Sequence, residues 1–261
     1  MHSRSIRHLL DAIPVRHSSV VRLMSRLRPH ETEHPLTRIG GTGDGGYLVP
    51  DDLSGIAAVF SPGVYDSANF EHYFLSRGIP CFLADRSVDG PPFEHPLLHF
   101  TKRHLAAESS GDEMTLGHWM GQCAPDHGDL ILQMDIEGAE YEVLLTTPAD
   151  LLQRFRVMVI EFHGLHRLPR YGSFKRIQQV FKQLSETHCC VHLHPNNCCQ
   201  PRRCGRLLLN PVLEVTLLRR DRFQSSRPVT QLPHPLDDDN VPDRASVYLD
   251  SGWLSGQGGS Q

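Results

Sequence analysis

The stretch Leu130-Ile131-Leu132-Gln133-Met134-Asp135-Ile136-Glu137-Gly138-Ala139-Glu140 constrains this chain more than any other. An apolar run of strand length ends in alternating carboxylates and a glycine, and a helix-forming segment follows. That order describes a buried strand whose acidic tip opens onto a helix. In open α/β sheets ligands bind just beyond the carboxyl ends of the strands. Two carboxylates at such a tip therefore serve a ligand, a metal or a proton.

The same strand-then-helix rhythm runs through most of the sequence. Apolar strands are predicted at 56–60, 80–84, 97–100, 129–134 and 155–162, with helices at 69–77, 115–120 and from 140 onward. Phe174, Ile177, Val180, Phe181 and Leu184 recur on one face of a further helix, 174–185. Such alternation predicts an α/β fold, a mostly parallel doubly wound sheet with helices on both faces. Two last strands, 191–194 and 213–218, are separated only by a cysteine- and arginine-rich loop, which predicts an antiparallel hairpin at one edge. The glycine-rich segment 37–50 (TRIGGTGDGGYLVP) reads as a tight loop feeding a short hairpin. No internal repeat or second-domain boundary is visible. The division expected is a helical extension over 1–36, one domain over 37–250 and a flexible glycine- and serine-rich tail over 251–261.

Composition narrows the function. A net charge of −4, without a basic stripe interleaved with aromatics, argues against nucleic acid as the main partner. No apolar run approaches the roughly 18 residues of a membrane span. The start lacks the compact apolar core of a secretion signal, so a cytoplasmic protein is expected. The arginines of the extension (Arg4, Arg7, Arg16, Arg22, Arg26 and Arg28) leave organelle targeting as a weaker reading. Cys189, Cys190, Cys198, Cys199 and Cys204, beside His188, His192 and His194, suggest zinc by ligand type. Adjacent Cys-Cys pairs are not the separated hooks that converge on one ion, however, so reduced cysteines at a strand and its loop are favoured.

The first strand-to-helix turn, Phe60-Ser61-Pro62-Gly63-Val64-Tyr65-Asp66, has one glycine and lacks the fingerprint of a dinucleotide cradle. Its glycine would let a ligand approach the backbone, and the helix amino terminus would offer free N–H groups. Asp66 and Glu71 would repel phosphates but suit a cofactor carrying a sulfonium and an ammonium. Asp85, ending the second strand, is placed to accept hydrogen bonds from ribose hydroxyls. Together with the Asp135/Glu137 tip, these features favour S-adenosylmethionine over a nicotinamide cofactor.

Arg38-Ile39-Gly40, Asp44-Gly45-Gly46-Tyr47, Phe60-Ser61-Pro62-Gly63, Phe70-Glu71, the Met134–Glu140 segment, Val159-Ile160-Glu161-Phe162-His163 and Leu213-Glu214-Val215-Thr216 follow one another in an order that resembles the FkbM-type methyltransferase family. The resemblance spans roughly Arg38 to Leu249. It implies a single Rossmann-like class I methyltransferase domain that binds S-adenosylmethionine and methylates a hydroxyl of a sugar or natural-product-like small molecule. Carried onto this sequence, it implies that Ser61 and Gly63 line the cofactor, that Glu71 faces its amino acid end and that Asp85 holds the ribose. It also implies that Asp44 and Tyr47 close over the methionine moiety or the acceptor, although Gly45-Gly46 can equally be read as a hairpin turn needing positive φ. Pro62 and Tyr65 depart from the family's usual first turn.

On the acceptor side, Asp135, Glu137, Glu161 and His163, with His194 and Asn196, fall at or just past strand ends. Two mechanisms fit. His163 can act as the general base that takes the hydroxyl proton. Alternatively Asp135, Glu161 and His163 bind a divalent metal that acidifies and orients the hydroxyl, a mixed set suited to manganese, iron or zinc. Glu137 also reads as a carboxylate capping the following helix, and 232–242 (LPHPLDDDNVP) as a solvated loop rather than a cover. The rivals are a nicotinamide-dependent oxidoreductase, weakened by the missing glycines, and a non-catalytic scaffold that binds an adenosyl ligand.

Overall fold

The computed structural model of the chain describes residues 11–64 and 67–254. The expected helical stretch before residue 11, Tyr65 and Asp66 of the first turn, and the end of the glycine-serine tail lie outside the described residues.

In chain order the elements are helix α1 (His17–Met24), strands β1 (His30–Thr32), β2 (Leu36–Ile39), β3 (Tyr47–Pro50) and β4 (Ile56–Pro62), helix α2 (Asn69–Leu75), then β5 (Cys81–Ala84), β6 (Leu98–Thr101), β7 (His104–Leu105) and β8 (Glu113–Met114). Helix α3 (Leu116–Cys123), β9 (Asp129–Met134), α4 (Glu140–Thr146), α5 (Ala149–Leu152), β10 (Phe155–His163) and α6 (Tyr171–Thr187) follow. The chain closes with β11 (His188–Pro195), β12 (Arg202–Cys204), β13 (Leu207–Leu209), β14 (Val212–Arg219) and β15 (Ser226–Pro228).

Seven strands form one sheet in the order β11-β14-β10-β9-β4-β5-β6. All its pairings are parallel except those of β14, which runs antiparallel to both β10 and β11. The predicted terminal hairpin is therefore present, but its second strand is inserted inside the sheet and β11 alone forms the edge. The glycine-rich segment is also placed differently from expectation. Residues 40–46 connect β2 to β3 and are the loop of that hairpin, not a lead-in to it.

Alternation decides what each face of the sheet receives, because successive strand residues point to opposite sides. Phe155, Met158, Ile160 and Phe162 of β10 pack into a core with α1, α3, α4 and α6. Val157 and Val159 pack into a second core with the β2–β3 hairpin and α2. The apolar residues foreseen on α6 are all buried, and Asp11 Oδ1 accepts a hydrogen bond from Ser173 N in its first turn at 2.9 Å. In the extension, α1 buries Val20, Leu23 and Met24, and Leu27 follows in the next turn, all in the first core.

By the same alternation, Glu161 and His163 share the hairpin face with Val157 and Val159. On β14, Leu213, Val215 and Leu217 enter the first core, so Glu214 and Thr216 face the hairpin, where Thr216 Oγ1 donates to Leu48 O at 2.8 Å. On β9, Gln133 Nε2 donates to Tyr47 Oη at 3.3 Å, which puts Gln133 and Asp135 on that face too. The polar ends of three neighbouring strands thus gather under one hairpin.

Candidate active site

The tips of β9, β4 and β5 are tied together by backbone. Asp135 N donates to Pro62 O at 3.2 Å and Gly63 N donates to Ala84 O at 3.0 Å. Asp85 and Asp135 consequently flank the β4 tip on one rim. Asp85 is buried, and its Oδ1 accepts from both Ser87 N and Ser87 Oγ at 2.7 Å. Ser61 and Glu71 are buried behind the same turn. Burial raises the Glu71 carboxyl, with the Ser61 hydroxyl pulling it back.

Gly63 sits at φ +84°, and a Cβ built there would lie 1.4 Å from the carbonyl oxygen of Asp135. Its lack of a side chain is demanded by the neighbouring strand by itself. Gly40 is a similar case in the hairpin loop, where a Cβ would meet Gly45 O at 2.1 Å. Arg38 holds that loop, donating from Nε to Gly41 O at 2.6 Å and from a terminal nitrogen to Gly43 O at 3.2 Å.

His163, at the end of β10, is ringed by carboxylates. Its Nδ1 lies 3.1 Å from Glu140 Oε1, and its Nε2 lies 3.4 Å from Glu137, 3.6 Å from Glu161 and 3.9 Å from Asp135. Glu161 is buried and takes hydrogen bonds from Asn196 Nδ2 at 3.3 and 3.4 Å to its two oxygens. The row continues across the sheet, where Glu161 stands directly opposite Glu214, and Glu214 opposite His194. Two carboxylates facing each other across a strand pair repel. Asn240 Nδ2 relieves part of this by donating to Glu214 Oε1 at 2.6 Å and to Asp44 Oδ1 at 3.1 Å.

The member of this cluster that the sequence did not point to is Glu140. Its side chain is fully buried, and Oε1 accepts from Ile136 N at 3.2 Å and Gly138 N at 2.9 Å as well as facing His163. Glu140, not Glu137, is therefore the carboxylate that satisfies this turn. Glu137 sits at φ +56°, and its side chain is 87% exposed. A left-handed non-glycine residue followed by Gly138 at φ +105° is a strained turn. Glu140 pins it from the first turn of α4, and an acid at that position was the available signal.

These carboxyls titrate far from their usual range. Burial pushes Asp135 up to about 7, against the pull of His163 and with added repulsion from Glu137, Glu140 and Asp44. Glu161 is pushed well up by burial and then by the charges of Asp135, Glu214 and Asp44. Burial likewise pushes Glu214 up to about 7, although His194 and Asn240 oppose it. Burial works against charging His163, but the hydrogen bond and charge of Glu140, with Asp135 and Glu137, outweigh it and raise its pKa. The Tyr47 hydroxyl, in the middle of the cluster, is raised by burial and by Glu161, Glu214, Asp135 and Asp44. The site is acid-rich and short of cations.

The expected solvated loop over 232–242 is instead packed down. Asp237 is only 6% exposed in its side chain, Asp238 Oδ2 accepts from Gly43 N at 2.9 Å, and Asn240 is buried against Asp44 and Glu214. The polar ends beneath it supply hydrogen-bond partners that a sequence of prolines and aspartates does not reveal.

Residues 124–186 match the model of the Methyltransferase FkbM domain. A search of curated proteins returned no match. The matched residues contain Asp135, Glu140, Glu161 and His163, whereas Ser61, Gly63, Glu71 and Asp85 lie before them. With the seven-stranded, mostly parallel sheet and its antiparallel penultimate strand, the match supports a methyltransferase on a Rossmann-like fold.

Proposed function

We propose that this chain is an S-adenosylmethionine-dependent methyltransferase that transfers the methyl group to a hydroxyl of a sugar or natural-product-like small molecule. The observation that carries this reading is the shared rim: Asp85 and Asp135 flank the β4 tip, and the acidic cluster around His163 begins beside it. The residues fit the cofactor by charge. Asp135 Oδ1 is buried without a hydrogen-bond partner, and burial with mutual repulsion holds Asp135 and Glu161 toward their protonated forms, the pull of His163 on Asp135 notwithstanding. A sulfonium and an ammonium would relieve that repulsion.

Asp85 would hold the ribose, Ser61, Gly63 and Glu71 would border the turn beneath, and Asp44 and Tyr47 would close the acceptor side. When bound, the cofactor supplies an electrophilic methyl on a built-in leaving group, so the protein has to align the acceptor and remove one proton. Glu140 holds Nδ1 of His163, which leaves Nε2 directed among Asp135, Glu137 and Glu161. From there the neutral imidazole, or the Asp135 carboxylate held near neutrality, can take the hydroxyl proton. We take residues 37–250 as the catalytic domain, with 1–36 as an extension whose described part carries α1 and β1.

A metal-assisted variant has one observation of its own. Ligand atoms of Asp135, Glu140 and His163 lie within 4.8 Å of one another. Glu140 thus takes the place in that set expected for Glu161. However, Glu140 Oε1 is already committed to two backbone N–H groups, which favours its role as the anchor of His163.

Calorimetry tests the proposal. S-Adenosylmethionine or S-adenosylhomocysteine should bind, and NAD should not. Asp85→Ala should weaken adenosyl binding, while His163→Ala should spare it and slow transfer about a hundredfold or more. Binding of NAD with no adenosyl binding would end the methyltransferase reading. Loss of activity to chelators, with binding intact, would favour the metal variant over the simple base.

A further inference from the structure

A second titratable cluster lies on the sheet's edge strand. His192 and His194 are two apart on β11, so they share a face. The segment 229–242 crosses that face, and Asp237 from it reaches both imidazoles. Asp237 Oδ1 lies 2.8 Å from His192 Nε2 and 3.5 Å from His194 Nδ1. The other oxygen, Oδ2, accepts from His234 N at 2.7 Å, which fixes the carboxylate's orientation.

All three side chains are at least nine-tenths buried, with exposures of 4% for His192, 9% for His194 and 6% for Asp237. Neither ring nitrogen of His194 makes a hydrogen bond. The long 3.5 Å approach of Asp237 to Nδ1 is then the compensation the pair offers a buried ring, and Nε2 has none. Ligand atoms of the three residues lie within 4.8 Å of one another, and a cavity of about 240 Å³ lined by His194, Asp237 and Asp239 opens beside them.

We infer that His192, His194 and Asp237 bind one divalent transition-metal ion, of the zinc, cobalt or iron class, that clasps the 229–242 segment onto β11. Two imidazoles and one carboxylate are the donor set such ions take, and magnesium or calcium would require oxygen donors instead. The adjoining cavity leaves room for water or another ligand to complete the shell. Asp237 carries its own supporting hydrogen bond, as first-row metal carboxylates characteristically do.

The neighbouring cysteines, which the sequence put forward for zinc, are not part of this set. Cys189 Sγ donates to Cys190 O at 3.5 Å and Cys190 Sγ to His192 O at 3.4 Å, and burial raises both thiols. Among the described residues no cysteine joins a convergent group of ligand atoms.

The clasp has a consequence for the neighbouring site. Asp238 and Asn240, directly after Asp237, hold Gly43 and the pair Asp44 and Glu214. An ion on Asp237 would thereby order the segment that covers the hairpin loop.

The test is a cobalt(II) titration of the full chain, stripped with a chelator and followed by visible absorption. One equivalent should bind with ligand-field bands of a nitrogen–oxygen site and no thiolate charge-transfer band. His194→Ala and Asp237→Asn should each weaken binding at least about a hundredfold, whereas Cys198→Ser, Cys199→Ser and His163→Ala should leave it unchanged. Bound cobalt should also slow proteolysis between 229 and 242 in the wild type but not in Asp237→Asn, whose folding is checked by circular dichroism. Absence of uptake by the folded wild type, a thiolate band, or affinity indifferent to Asp237→Asn would each overturn the inference. Adenosyl binding is measured separately, so failure here leaves the proposed reaction untouched.

Discussion

Replacing Glu140 probes the site at its most buried point. The carboxylate is fully enclosed and serves three groups: Ile136 N, Gly138 N and His163 Nδ1. Hydrogen bonds to a charged partner contribute about 1.5–3 kcal/mol each. They are not additive, and breaking a buried charge pair from one side costs about 3–5 kcal/mol. Glu140→Ala should therefore destabilise the fold by about 3–5 kcal/mol in denaturant unfolding and release the strained turn at Glu137 and Gly138. Glu140→Gln keeps an oxygen for the two backbone donors and loses only the charge, so about 1–2 kcal/mol is expected. Its diagnostic effect is on His163. The Glu140 hydrogen bond and charge lead the influences that raise the imidazole above 6.5, so the His163 ring-proton titration followed by NMR should move to lower pH in Glu140→Gln. The acidic limb of any pH–rate profile should move with it. A His163 titration that stays where the wild type has it would refute the anchoring role.

Two further expectations follow from the same geometry. Gly63→Ala should cost at least about 2–3 kcal/mol, because the new methyl meets a backbone carbonyl and not a yielding side chain. Wild-type stability in that variant would show that the β4 and β9 tips are not in contact. Stability should also fall as pH rises from about 6.5 to 8; at lower pH His30, His166, His188 and His192, whose folded pKa values burial lowers, oppose the trend. His163 and His194 have folded pKa values above 6.5, so their contribution is complete below that pH and is lost as pH climbs through the folded values. Asp135 and Glu214 add to the slope, since they keep protons up to about 7 when folded but lose them near 3.8 and 4.5 when unfolded. Asp237 acts oppositely: against burial, the hydrogen bond to His192 and the nearby His194 imidazole hold its pKa low, and its contribution is lost only in acid. Midpoints of thermal unfolding across that range would decide it, and a flat or rising profile would contradict the cluster's electrostatics.

The alternation of apolar strands and amphipathic helices was enough to read a mostly parallel sheet, and the strand-end positions of Asp85, Asp135, Glu161 and His163 followed from it. Local order determines such features, because a residue's place relative to the end of a strand depends only on its near neighbours. The position of β14 inside the sheet was not legible, since pairing partners far apart in the chain are chosen by how both faces of the sheet are covered. Nor was the pairing of Glu161 with Glu214, which needs the register between two strands joined by a long connection. Glu140 escaped for a related reason. It lies in the same short motif as Asp135, yet its task depends on a histidine that only the parallel docking of β10 against β9 brings within 3.1 Å. Likewise the segment around Asp237 carries polar residues suited to solvent, and what buried it were an imidazole of β11 and an amide just past its end, more than forty positions away. Sequence alone determined which side chains stand at the strand ends; tertiary packing decided which of them meet, because short-range periodicity sets direction and face while contact between distant segments depends on the whole sheet.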